Sequence, residues 1–85
     1  MDKIIITFTD LDGSFYADLE VPVRVKMRQM KSKILGTLEK LDPQLSFDED
    51  RAIFLCNRTG KGIEPDETME KAGVWSGDYV TVVEA

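Results

Sequence analysis

Cys56 is the only thiol in the chain and no histidine accompanies it, so the residue types that most often activate a nucleophile or complete a metal site are missing. A cysteine that ends an apolar run, here Arg51-Ala-Ile-Phe-Leu-Cys56, reads as a small hydrophobe, and one cysteine allows no disulfide within a monomer. Asp10-Leu-Asp12 opens like a calcium loop, but Phe15 stands where such a loop needs glycine and Val21 where it needs a bidentate glutamate, so the segment reads as a hairpin turn. Gly60-Lys61-Gly62 has neither the spacing nor the Ser or Thr of a phosphate loop and reads as a turn. No catalytic, metal-ligating or cofactor-binding residue is assigned, and no small-molecule substrate is expected. The residues point away from an enzyme and toward a domain that acts by contact.

The charge pattern says where that contact could be made. The net charge is −5, yet Arg24, Lys26, Arg28, Lys31, Lys33 and Lys40 stand against the lone acid Glu39 between positions 24 and 41. One positive helix face on an acidic body is the expectation. Nucleic acid is a poor partner for it, because no aromatic residue lies among these charges and the rest of the surface repels a polyanion. The face is either simply solvated or a site for an acidic protein. No apolar stretch approaches the roughly 20 residues that span a bilayer, and no leader precedes the first apolar run, so a cytoplasmic protein without membrane insertion, starting at its natural Met, is expected.

The elements that must position these residues follow from periodicity. Ile4, Ile6 and Phe8 alternate with Ile5, Thr7 and Thr9, and after the Asp10–Gly13 turn Phe15, Ala17, Leu19 and Val21 face inward while Ser14, Tyr16, Asp18 and Glu20 face outward. These runs make a hairpin. Beyond Pro22 the period changes: Met27, Met30, Ile34, Leu38 and Leu41 fall within about 40° of one line on a helix of 100° per residue. The helix starts loosely near Val23 to Val25, without a capping side chain, and ends by Asp42-Pro43. Gly36 lies opposite the buried stripe. Leu35 lies about 100° from it, on the side of Arg24, Arg28 and Lys31, where an apolar residue framed by basic ones marks a contact point.

A polar loop over Gln44–Asp50 precedes the continuous apolar strand Arg51–Cys56, and Asn57–Gly62 turns the chain. Ile63 plugs the core, Glu64-Pro-Asp-Glu67 offers acids to the positive end of a short helical turn, and Val74 returns inward. Gly77-Asp78 reverses the chain into a last strand with Val80 and Val82 inside and Tyr79, Thr81 and Val83 outside. Trp75, beside that turn, either covers the edge of the core or anchors a partner.

The run Arg51–Cys56, the plug Ile63 and the ending Thr68-Met-Glu-Lys-Ala-Gly-Val-Trp-Ser-Gly-Asp-Tyr-Val-Thr-Val-Val83 together resemble the second half of a ubiquitin-like β-grasp domain. Among bacterial proteins the chain looks most like the YukD/EsaB family of small proteins associated with type VII secretion. The resemblance implies an α+β fold, one domain over residues 1–85, with a mixed sheet of four to five strands packed on one main helix. It implies a non-enzymatic accessory or regulator of export that binds a protein partner, a component of the secretion machine, and whose relatives are also fused to membrane-embedded components. Ile53 and Val83 take strand positions similar to two members of ubiquitin's apolar recognition patch, and Leu11 supplies a third. Where a ubiquitin-type modifier carries Gly-Gly this chain has Glu84-Ala85, so the resemblance implies no conjugation. A small ubiquitin-like subunit of a multicomponent enzyme, such as an oxygenase, is the alternative. Arg24, Arg28, Lys31, Leu35, Ile53, Trp75 and Val83 are the candidate contact residues, on either the basic helix or the Ile53 sheet face.

Overall fold

The computed structural model describes residues 2–85. Strands β1 (Lys3–Asp10) and β2 (Tyr16–Pro22) form the expected antiparallel hairpin, with Ile4 opposite Val21, Ile6 opposite Leu19 and Phe8 opposite Ala17. The turn depends on Gly13, which has φ +66°, and the Tyr16 hydroxyl lies 3.0 Å from where a Cβ would stand. A side chain at position 13 would meet both a strained backbone and the Tyr16 ring.

Helix α1 (Met27–Leu41) follows, then β3 (Ala52–Cys56), the two-residue β4 (Lys61–Gly62) and β5 (Tyr79–Glu84). The five strands lie in the order β2-β1-β5-β3-β4. At the centre β1 and β5 run parallel, pairing Thr7 with Tyr79 and Asp10 with Val82, while β3 runs antiparallel to β5. A parallel pair needs a long crossover, and everything from Pro22 to Asp78 supplies it. The result is a mixed sheet with one helix on one face, the ubiquitin-like β-grasp fold expected from the sequence.

The core lies between that helix and the inward side chains of the sheet. Ile6, Phe8, Phe54, Leu38 and Val80 are almost wholly shielded, and Phe8 and Phe54 meet edge to face at 5.8 Å. Ile63 and Val74 enter the core as the sequence predicts. Cys56 is buried at the inner end of β3.

The helix boundary near Val23 to Val25 moves to Met27, and the structure shows why no capping side chain is needed. Lys26 stands at the N-cap without a side-chain bond, and the free N–H groups of Met27 and Arg28 donate instead to the carbonyls of Glu67 (2.8 Å) and Pro65 (2.9 Å). A distant loop therefore does what a Ser or Asp does locally. That same loop holds the short turn expected after its acids: residues 64–73 form successive turns, the Ala72 N–H donating to the Thr68 carbonyl at 2.9 Å, with Glu67 Oε1 accepting the Glu64 N–H and Thr68 Oγ1 accepting the Lys71 N–H.

Four side chains depart from their expected places. Leu35 is only 4% exposed, so it is a core residue and not a contact point; the apolar arc of α1 is wide enough to bury Ile34 and Leu35 side by side. Leu41, placed in the buried stripe by its angle, is 61% exposed on the last residue of the helix, past the Leu38 contact. The 44–50 loop is less polar in effect than in composition, since Leu45 and Phe47 pack on the core and Phe47 meets Phe15 edge to face at 6.3 Å. Phe47 is held there by its N–H bond to Glu39 Oε2 at 2.8 Å.

Met69, with 0% exposure, is a core residue that no periodicity marked, and Met69→Ala should lower the unfolding free energy by about 2–5 kcal/mol, read from urea denaturation. Gly36→Ala should raise it by up to about 1 kcal/mol, because nothing lies within 4 Å of the added Cβ.

Candidate partner-binding face

The side of the sheet turned away from α1 carries the outward residues of four strands. Sheet register places Ile53 beside Val83 and Leu55 beside Thr81, so the two aliphatics singled out from the sequence are direct neighbours. Ile53 is 41% exposed, and Val83 and Leu55 are half-buried. Across β1, Tyr16 of β2 and Tyr79 of β5 come together edge to face with ring centroids 6.2 Å apart. Thr9 and Thr81 lie on this same outer face yet are buried, Thr81 donating its hydroxyl to Asn57 Oδ1 at 2.6 Å. The outward placement of Thr81 holds, but it is not solvated. Leu11, fully displayed at the hairpin tip, borders a cleft with Tyr16, Asn57 and Tyr79.

Tyr16, Tyr79 and Leu55 are the members of this face that were not picked out from sequence. The available signal was the placing of large aromatics at outward positions of two strands. That they touch depends on β1 lying between β2 and β5, which no local pattern reveals.

Trp75 belongs to a different cluster. Its ring is 64% exposed and is stacked by the Arg58 guanidinium, 3.7 Å from the ring centroid. Arg58 donates to both Asp78 carboxylate oxygens (3.1 and 3.2 Å from Nε) and to the Gly73 carbonyl. Asp78 also accepts the Trp75 N–H at 2.8 Å, while Cys56 Sγ lies 3.7 Å from it. Ser76 and Gly77 then bond the backbone of Ile5, which delivers the chain into β5 alongside β1. Burial pushes the Asp78 carboxyl upward, but the Arg58 and Trp75 hydrogen bonds and the Arg58 charge outweigh it and hold the group below its ordinary value. Trp75 thus caps a latch that fixes the entry to β5.

The basic helix face is partly neutralised by the chain itself. Arg24 reaches Asp2 at 3.2 Å and Glu70 at 3.8 Å, and Arg28 pairs with Asp66. Lys31 stands half-buried beside a groove of about 440 Å³ that also includes Glu49, Asp50 and Glu64. With Leu35 removed into the core, the exposed apolar candidate left near Arg28 and Lys31 is Ile53, which lines the same groove, where the edge of the sheet meets the helix. Among the described residues no set of three or more Cys, Asp or Glu is placed to hold a metal, and no helix is long and apolar enough to cross a membrane.

No protein-family model matches the chain, and no curated protein matches it by sequence. Solved structures do match in fold. The ubiquitin-like domain of the type VII secretion protein EccD1 from Mycobacterium tuberculosis is 22% identical with a TM-score of 0.77, covering 99% of this chain and 100% of that one. The EccD5 ubiquitin-like domain from Mycobacterium xenopi is 10% identical with a TM-score of 0.83, over 100% and 97% of the two chains. Ubiquitin from Caldiarchaeum subterraneum is 18% identical with a TM-score of 0.73, over 98% and 94%.

The latch makes a pH prediction. Because the Asp78 carboxyl is lowered in the folded state, it stabilises the fold above its unfolded value of 3.8, and that contribution disappears as pH falls through the lower folded value. Asp78→Asn should be less stable than wild type near pH 7 and should lose less further stability on acidification below pH 3.8. Urea midpoints across that range, followed by Trp75 fluorescence, measure both effects.

Proposed function

We propose that this ubiquitin-like domain works by binding a protein partner through the open face of its sheet, as a cytoplasmic, non-enzymatic accessory or regulator of a type VII secretion machine. The observation that carries the binding reading is the adjoining Ile53–Val83 pair on a sheet face that no helix covers, flanked by Leu55 and by the two tyrosines. Exposed aliphatic and aromatic side chains grouped on a flat, rigid surface suit protein contact. The likeness to the EccD ubiquitin-like domains supports the choice of machine. The sheet face is preferred over the helix because Arg24 and Arg28 already have acidic partners within the chain.

Ile53 is exposed on β3, so Ile53→Asp should leave the fold intact while placing a charge in the contact. In a host with a type VII system, deletion of the gene should reduce export or change the abundance of secretion components. A copy carrying Ile53→Asp should fail to restore it, and one carrying Arg28→Glu should succeed. Normal export in the deletion strain, with loss of an enzyme activity instead, would replace this reading with that of an enzyme subunit.

A further inference from the structure

The same face ends in a cleft whose chemistry specifies what a partner must bring. It has a volume of about 310 Å³ and is bordered by Asp10, Asp12, Tyr16, Asn57 and Tyr79, over a floor that includes Thr81. No basic side chain lines it among the described residues. Arg58, next in sequence to Asn57, is turned onto Asp78 and Trp75. Asp10 is engaged locally, accepting the Ser14 N–H at 2.8 Å and the Ser14 hydroxyl, but Asp12 at the tip of the turn has no ion-pair partner among the described residues. The cleft therefore joins two tyrosine rings to uncompensated negative charge.

We propose that this cleft takes the cationic side chain, arginine or lysine, of a protein partner whose apolar residues cover Ile53 and Val83; the proposal rests on the sheet-face reading above and names the chemistry of its partner. A cation over a tyrosine ring is attracted by the negative face of the π system, and Asp12 adds a charge pair at the rim. An acidic side chain would be repelled by Asp10 and Asp12, and a neutral one gains neither term. The cleft is shallow and open to water, so a free amine would gain little from it. A cation carried on a chain that also buries aliphatic side chains on the neighbouring patch gains both contributions. The net charge of −5 favours approach of such a basic partner over a range set by ionic strength.

The test uses the full chain, labelled with ¹⁵N, and three capped tripeptides: leucine-arginine-leucine and its versions with glutamine or glutamate at the centre. The arginine peptide should shift the amides of Tyr16, Asn57 and Tyr79 together with Ile53 and Val83, and should bind about five- to tenfold more tightly than the glutamine peptide, with the glutamate peptide weakest. Asp12→Asn, on an exposed turn, should weaken the arginine peptide about two- to fivefold and leave the glutamine peptide unchanged. Equal binding of the three peptides on this face overturns the cation preference while leaving the sheet-face reading standing. Absence of shifts with all three, or shifts confined to other surfaces, also overturns the proposal. Failure of the broader reading shows separately, as full restoration of export by Ile53→Asp.

Discussion

One 15-residue helix, about 22 Å long, can cover only one face of a five-stranded sheet, and among the described residues no second helix packs on the other. This constraint organises the molecule. The inward residues of every strand and nearly every large aliphatic of α1 are committed to the one core. The outward residues of β5, β3 and β2 must then make a stable surface in water. They do so by graded covering: Thr9 and Thr81 are buried, Thr81 bonds Asn57, and Thr7 donates to Asp18 at 2.6 Å. What remains apolar and accessible on that sheet includes Ile5, the Ile53, Leu55 and Val83 group and the tyrosine rings. The uncovered sheet face is therefore a consequence of topology, and its composition suits contact.

The long crossover that parallel pairing demands is held by backbone bonds more than by local preferences. The Pro65 and Glu67 carbonyls receive the first N–H groups of α1, and the Glu70 N–H returns to the Val23 carbonyl at 3.1 Å. These bonds tie the start of the helix to the segment that carries Met69 and Val74 into the core. They also bring acids to basic side chains, placing Asp66 against Arg28 and Glu70 against Arg24. Exposed pairs of this kind add little stability. Their effect is on the surface field: the segregation of charge along the sequence is reduced in space.

The latch around Asp78 solves a related problem at the other end of the crossover. Before β5 can run beside β1, the chain must leave Val74, turn at Gly77 and enter the sheet in the correct register. Asp78 gathers the Trp75 N–H and the Arg58 guanidinium, and Arg58 in turn reaches Gly73 and the Trp75 ring. Side chains from the β3–β4 turn and the β5 entry are thereby locked together. The exposed Trp75 has a structural reason to be where it is, independent of any partner.

The hairpin, the helix over most of its length and the inward Val80 and Val82 were legible in the sequence because each is a local periodicity, in which one face of one element must avoid water, and β3 because it is a short continuous apolar run. The outward positions of Tyr79 and Val83 follow from the same alternation, while Ile53 sits in a continuous apolar run whose outer side only the structure identifies. Tertiary structure decided what periodicity cannot encode. Leu35 is buried and Leu41 exposed because the covered arc of α1 depends on what packs beside it and where the helix ends. Met69 lies in a turn and Leu45 and Phe47 in an irregular loop, where no repeat marks a core residue. Arg24 and Arg28 acquire acidic partners from residues more than thirty positions away in Glu70 and Asp66. Tyr16 meets Tyr79 only because the strand order sets β1 between β2 and β5. Alternation fixes which side of a strand a residue faces; which residues share that side is fixed by long-range pairing.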